Sequence, residues 1–351
     1  MFTTDLPIKT MEKDVLKRTA FSKKLAKAIL SYSQKDSFVI SLCGKWGSGK
    51  TSILNLVTEE IEKETEEISK DEKPIIVKFN PWNYTDSSQL ISQFFTEIIE
   101  SLKIKDSSES LKNVGEAIKG YSSLFEYTKY IPVVGSFIAP LSSTISYVGE
   151  SISKKGKNKE SLNQKKKAVT EALIKQKHKF IIIIDDIDRM NNQQIKALFQ
   201  LVNSVAGFPN MIYLLAFDRE VVARALKEEQ NCDGEEYLEK IVQVPFHIPE
   251  ANKDLIIEYF VKRFVVLVGD NTIEKLEKNH WHQVFGRCVV PYLNSIRDAK
   301  RILNSFEFSF NIMKDETNSA DLLALTALHI YAPEIFNWIY SNKEILVGGQ
   351  E

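Results

Sequence analysis

The chain has 351 residues, with 46 Lys and Arg against 47 Asp and Glu and a formal net charge of −1. That length exceeds what one hydrophobic core usually carries and points to two domains. The charge balance excludes a wholesale electrostatic attraction to nucleic acid and leaves only a local patch open. Three cysteines, Cys43, Cys232 and Cys288, lie far apart without metal-ligand spacing. They argue against a disulfide framework and for a reducing, cytoplasmic setting, and the start MFTTDLPIKTMEKD lacks the apolar run of a signal peptide.

In chain order, residues 1–36 read as an arm and a helix, with Phe21, Leu25, Ala28 and Ile29 on one face. Residues 37–43 are apolar, β-rich and run straight into glycines, a buried strand followed by a sharp turn. Over 51–68, Ile53, Val57 and Ile61 recur four apart beneath a Glu/Lys face, as in an amphipathic helix. Residues 74–79 read as a second strand. Residues 88–102 read as a helix with Ile91, Phe94, Phe95, Ile98 and Leu102 in one stripe. A third strand follows at 180–184, a helix at 193–205, a fourth strand at 211–217 and a fifth at 241–246. Strands alternating with helices predict an α/β fold, a parallel sheet sandwiched by helices. After Pro249 only helical periodicity remains, at 255–268, 272–285, 295–313 and 321–331. The expected division is an arm and helix at 1–36, an α/β core at 37–249 and a small all-helical lid domain at 250–351.

Residues 104–178 break the alternation and read as an insertion in the core. Within it, 130–149 carries no charge, and 153–167 carries seven lysines and one glutamate. The uncharged stretch has about the length of a membrane span (~20 residues), but Pro132, Gly135, Pro140 and five Ser/Thr dilute it. It reads as a buried or partner-docking loop, with peripheral membrane contact through 130–167 as the alternative. The lysine run reads as a solvated linker, with anionic lipid or nucleic acid as the alternative contact.

Gly44-Lys45-Trp46-Gly47-Ser48-Gly49-Lys50-Thr51 matches G-x-x-x-x-G-K-S/T between a strand and a helix. The glycines let backbone N–H groups turn inward onto phosphate oxygens, and the helix N-terminus adds partial positive charge. Gly44, Trp46, Gly47, Ser48, Gly49 and Ser52 are expected to line the nucleotide. Lys50 is expected to reach the β- and γ-phosphates, and Thr51 to bind Mg²⁺. FIIIIDDIDRM at 180–190 supplies the other half, an apolar strand ending in acid. Asp185 is expected to hold Mg²⁺ through water, and a divalent cation favours the ionised forms of neighbouring carboxylates. Asp186 stands where many P-loop ATPases carry a glutamate that polarises the attacking water. Its shorter side chain predicts slow hydrolysis or a need for closure. Asp188 reads either as the cap of the next helix or as part of the site. Arg189 reads as a structural partner of Asp186 or Asp188, with an arginine finger to a neighbouring subunit as the alternative. A water-activating acid argues against a small-molecule kinase, which must exclude water.

Asp5-Leu6-Pro7-Ile8 with Asp14, GKWGSGKT, KFNPWNY at 78–84, IIIIDDIDR at 181–189, LLAFDREVV at 214–222, YLEKIVQVPFHIP at 237–249 and SIRDAKRILNSF at 295–306 together resemble the KAP family of P-loop NTPases. The resemblance covers nearly the whole chain except 105–175. The glycine loop alone is unspecific; Asn-Pro-Trp together with Asp-Asp-x-Asp-Arg is much more specific. The resemblance implies ATP as the nucleotide, and an additional-strand P-loop core with a helical lid, broadly similar to AAA+ and STAND ATPases. It also implies a sensor-like place for Asp218 near the γ-phosphate, and a lid arginine at Arg297, with Arg301 a second candidate or an exposed salt-bridge partner. Trp82 and Tyr84 follow a strand C-terminus, the edge where α/β sites form; packing is preferred over ligand stacking for both. Bacterial members of the family are associated with phage exclusion and animal members with membrane signalling scaffolds. Many carry transmembrane segments before the Asp-Asp strand, a pattern from which this chain departs.

The resulting expectation is an ATP-hydrolysing switch. ATP binds between core and lid, and lid closure controls homo-oligomer assembly or an effector in defence against phage. The chain ends soon after PEIFNWIYSNKEIL, so an effector is expected on another polypeptide unless the chain is a fragment. Two alternatives stay open: a nucleic-acid-stimulated motor, with strong salt dependence, and an ATP-binding scaffold with negligible turnover.

Overall fold

The computed structural model describes residues 3–84, 89–105, 108–126, 159–205, 207–230, 233–269, 276–314 and 316–347. The chain divides into two units. An α/β unit comprises Lys9–Met11 and Thr19–Ile248, and a helical unit comprises Met1–Ile8, Glu12–Arg18 and Pro249–Glu351.

In the α/β unit, β1 (Phe38–Cys43), β2 (Ile75–Phe79), β3 (Phe180–Ile184), β4 (Met211–Phe217) and β5 (Val244–His247) form one sheet. Their order is β2-β3-β4-β1-β5 and every pairing is parallel. An additional strand, β4, therefore stands between the strand that enters the glycine loop and the strand that ends at the aspartates. Alternate side chains point to opposite faces. Ile40, Leu42, Ile181, Ile183 and Leu214 pack in one layer beneath α1 (Thr19–Ser31) and α2 (Lys50–Glu64). Val77, Phe79, Ile182, Ile184, Tyr213 and Phe217 face the other layer, which contains α3 (Leu90–Lys105). Both faces are covered, which is why the strands read as unbroken apolar runs.

The expected insertion contributes to that second layer. Helices α4 (Glu109–Glu126) and α5 (Lys159–Ile174) bury Leu111, Val114, Ile118, Tyr121, Val169 and Leu173 in it. Gln176, just beyond α5, donates to Ser110 Oγ at 2.7 Å and ties the two helices' far ends together. Residues 130–149 and the lysine run up to 158 lie outside the described residues. Among the described residues, no helix is long and apolar enough to cross a membrane.

Also in the unit are α6 (Asn192–Gln200), α7 (Arg219–Gln230) and α8 (Gly234–Ile241). Among the boundaries that differ from expectation, two have a local cause. The fifth strand begins at Val244 rather than 241, because the Val242 N–H still donates to the Leu238 carbonyl at 2.8 Å and the helix runs on to Ile241. Helix α2 stops at Glu64 rather than 68, where the Thr65 hydroxyl donates to the Ile61 carbonyl at 2.6 Å and competes with the helix ladder.

The helical unit contains α9 (Lys253–Val268), α10 (Lys278–Val284), α11 (Ile296–Met313), α12 (Ser319–Tyr331), α13 (Pro333–Ser341) and α14 (Lys343–Val347). Phe260, Phe264, Ile302, Phe306 and Leu323 form its core. The N-terminal arm belongs here, whereas α1 packs in the α/β unit. Asn304 takes the Thr3 N–H at 2.9 Å and gives its own N–H to the Thr3 carbonyl at 2.8 Å. Lys300 donates to the Thr4 carbonyl at 3.1 Å, and Asp5 pairs with Arg297.

Candidate functional site

The C-terminal edge of the sheet gathers the glycine loop and the ends of β2, β3 and β4. β1 hands the chain to Gly44, whose N–H donates to the Phe217 carbonyl at the end of β4. The loop closes on itself through the Ser48 N–H and the Lys45 carbonyl at 3.0 Å. Gly47 and Gly49 hold φ of 79° and 90°, a region that glycine enters at little cost. A Cβ on Gly44 would stand 2.5 Å from Ser48 Oγ and 3.0 Å from Ile248 Cδ1, so the loop is drawn tightly around that position. Gly49 then starts α2, which places Lys50, Thr51 and Ser52 in the first turn.

Lys50 is nearly buried, and its ammonium donates to the Gly44 carbonyl at 2.9 Å, the Lys45 carbonyl at 3.4 Å and Asp188 Oδ2 at 2.8 Å. Thr51 Oγ1 donates to Asp185 Oδ2 at 2.6 Å. The Asp185 backbone N–H reaches the Phe79 carbonyl, which pins the end of β3 to the end of β2. Burial raises the Asp185 pKa above its ordinary value, and the bonds from Thr51 and from the Asp186 N–H work against that rise.

Asp186 has φ 59°, unusual for a residue with a Cβ. Each of its oxygens has a partner. Asn80 Nδ2 donates to Oδ2 at 2.9 Å, and Arg189 Nε lies 2.6 Å from Oδ1. The Arg189 guanidinium also lies 4.8 Å from the centre of the Trp46 ring, which is 57% exposed on the loop. The next helix, α6, is capped by Asn191 in a capping box with Gln194, so the cap is not Asp188. Asp188 is turned inward to Lys50 instead, with its side chain 3% exposed.

Asp218 follows β4 and caps α7: its Oδ1 accepts from the Glu220 N–H at 3.1 Å, and its carbonyl accepts from Val222. Tyr84 packs on Phe79 and donates to Glu97, whereas Trp82 is 51% exposed and packing does not account for it. Arg297 lies in the helical unit, in the first turn of α11, paired with Asp5. Arg301 lies over the Tyr331 ring and makes no salt bridge among the described residues. The structure thus brings Gly44, Trp46, Gly47, Ser48, Gly49, Lys50, Thr51, Ser52, Asp185 and Asp186 to one edge of one unit. Asn80 is the residue that sequence reasoning missed; its place at the end of β2, beside the strand carrying Asp185, was the available signal. Among the described residues, no three His, Cys, Asp or Glu groups are arranged to enclose a metal by themselves.

The sequence model of the KAP family P-loop domain matches residues 18–313. The chain belongs to the KAP family. This KAP chain is 24% identical over 335 residues to the phage T7 exclusion protein of Escherichia coli strain K12, an alignment covering 90% of this chain and 44% of that protein. It therefore spans under half the length of that relative. Among solved structures, it is similar to the Aeropyrum pernix ORC2 protein in its ADP form, at 15% identity and a TM-score of 0.48, covering 100% of this chain and 78% of that one. It is also similar to a Thermotoga maritima RuvB variant, at 11% identity and a TM-score of 0.41, covering 97% and 80%.

Proposed function

We propose that this KAP chain is a Mg²⁺-dependent switch that binds and hydrolyses ATP. Its nucleotide state controls assembly of copies of the chain, or a separate effector, in defence against phage. The observation that carries the reading is the 2.6 Å bond from Thr51 to Asp185, which draws the glycine loop and the end of β3 into one site. The residues fit both groups. The tight approach at Gly44 and the positive φ of Gly47 and Gly49 suit a backbone cradle for phosphate. Thr51 and Asp185 offer the hard oxygen ligands that Mg²⁺ prefers when phosphate and water fill its other positions.

Magnesium held by Thr51 and Asp185 supplies charge neutralisation at the phosphates. Lys50 gives N–H donors to the β- and γ-phosphates. Asp186 accepts a hydrogen bond from the attacking water and orients it. Each oxygen keeps a second lone pair for a water, but the ion pair with Arg189 weakens Asp186 as an acceptor, which supports a low basal rate. Asp218 acts as the polar group near the γ-phosphate. The defence role is supported by the likeness to the T7 exclusion protein.

The test is phosphate release by purified protein with ATP and Mg²⁺, beside Lys50→Ala and Asp186→Asn. Slow, chelator-sensitive release is expected, reduced by about a hundredfold or more in both variants, the scale of a lost water-polarising group. ATP binding without release above the Lys50→Ala background would assign the chain to the scaffold reading instead, which the two bonds holding Asp186 also favour.

A further inference from the structure

The single turn Ile187–Arg189 touches the glycine loop twice and the catalytic acid once. Asp188 holds Lys50, Arg189 lies over Trp46, and Arg189 also holds Asp186. We infer that Asp188 is an internal stand-in for phosphate, and that its displacement from Lys50 is what loosens the grip of Arg189 on Asp186.

An ammonium has three N–H donors. Those of Lys50 go to the Gly44 carbonyl, the Lys45 carbonyl and the Asp188 carboxylate. A phosphate oxygen can reach Lys50 only by replacing one of the three. Two of them are neutral carbonyls belonging to the loop itself. The third is an anion, and a phosphate arriving beside it meets like charge where screening is weak. Asp188 is therefore the partner that yields.

A carboxylate with 3% of its side chain exposed cannot remain in place unpaired, because a buried lone charge is strongly unfavourable. It must swing toward water or a new donor, and the end of the turn moves with it. That turn is anchored at Ile187, which is fully buried in the core, so the residues after it, Asp188 and Arg189, are the part that can shift. Asp186, which precedes the turn, holds φ 59°, a conformation that residues with a Cβ rarely adopt. Contacts hold the turn, and the contact to Lys50 is the most buried of its ion pairs. Arg189 is the next residue, so a shift of Asp188 changes both the 2.6 Å bond to Asp186 and the stacking on Trp46. Asp188 and Arg189 are in this sense positioning residues: they make occupancy of the loop the condition for freeing Asp186.

The inference rests on the reading that Lys50 takes phosphate, and the test separates the two. Inorganic pyrophosphate and ADP are titrated calorimetrically, with Mg²⁺, into the full chain, Asp188→Asn and Lys50→Ala. Asp188→Asn is expected to bind pyrophosphate about tenfold more tightly than wild type, because the internal competitor has lost its charge. Equal or weaker binding by Asp188→Asn overturns the inference while the ATPase reading stands. Failure of wild type to bind either ligand overturns both. Should Asp188→Asn fold poorly, Arg189→Gln decides. The Trp46 emission, taken as wild type minus Trp46→Phe, is expected to shift with pyrophosphate in the Arg189 protein and to change little in Arg189→Gln, which has no stacked guanidinium to release. An equal shift in both proteins overturns the inference.

Discussion

At Gly44 a single methyl group decides whether the loop keeps its shape. The atoms it would meet, Ser48 Oγ at 2.5 Å and Ile248 Cδ1 at 3.0 Å, are both ends of side chains, and Ser48 can rotate while Ile248 must give way. Gly44→Ala is therefore expected to cost only about 1 kcal/mol of stability, the low end for overpacking. It should weaken ADP binding far more, by about tenfold, because the Gly44 carbonyl that accepts from Lys50 moves with it. Thermal melting and calorimetric titration of one preparation check the split; equal loss in both would mean general unfolding rather than a disturbed loop. At this scale, Lys50, Thr51 and Asp185 were legible in the sequence because two short runs carry them with their strands and helix attached. Asn80 and the partner of Asp188 were not. Asn80 meets Asp186 from 106 positions away and Asp188 meets Lys50 from 138, and no local pattern encodes a pairing made only when β2, β3 and β1 come together.

At the scale of elements, α4 decides whether residues 104–178 are an appendage or part of the core. Ile118 is fully buried in the layer beneath the sheet, among residues of α3 and α5. Ile118→Ala is expected to destabilise the chain by about 2–5 kcal/mol, the range for an isoleucine cavity in a packed core. Gly120, two positions on in the same helix, has open space where a Cβ would stand, with nothing within 4 Å. Gly120→Ala is expected to be neutral or to stabilise by about 0.5–1 kcal/mol through helix propensity alone. Urea unfolding of both variants separates core from appendage: a cost below about 0.5 kcal/mol for Ile118→Ala would make α4 dispensable. The strands were legible because a strand covered on both faces must be an unbroken apolar run, as FIIII is. The role of α4 was hidden by its alternating charge, since its apolar stripe says that it is amphipathic but not which layer it joins. The fifth strand was misplaced by three residues because the end of α8 and the start of β5 lie in one stretch, and only the helical bond from Val242 to Leu238 tells them apart.

At the scale of the whole chain, the N-terminal arm brings Thr3 to Asn304, 301 positions away, within the helical unit. Its contacts along α11 are unequal. The Asp5–Arg297 pair is 50% and 38% exposed, and such pairs contribute at most about 1 kcal/mol. Asn304 instead meets both the N–H and the carbonyl of Thr3 and is partly buried, so two bonds of about 1 kcal/mol each depend on one side chain. Asn304→Ala is therefore expected to free the arm, whereas Asp5→Asn is expected to leave it docked. Limited proteolysis of the full chain reads this directly: cleavage within residues 3–9 should accelerate several-fold in Asn304→Ala and little in Asp5→Asn. Calorimetry adds a second reading, because a loss confined to the helical unit shifts only part of the unfolding profile. If instead the whole profile moves together, the two units unfold as one cooperative body, and the arm's contacts then contribute to the stability of the nucleotide site as well as to their own unit.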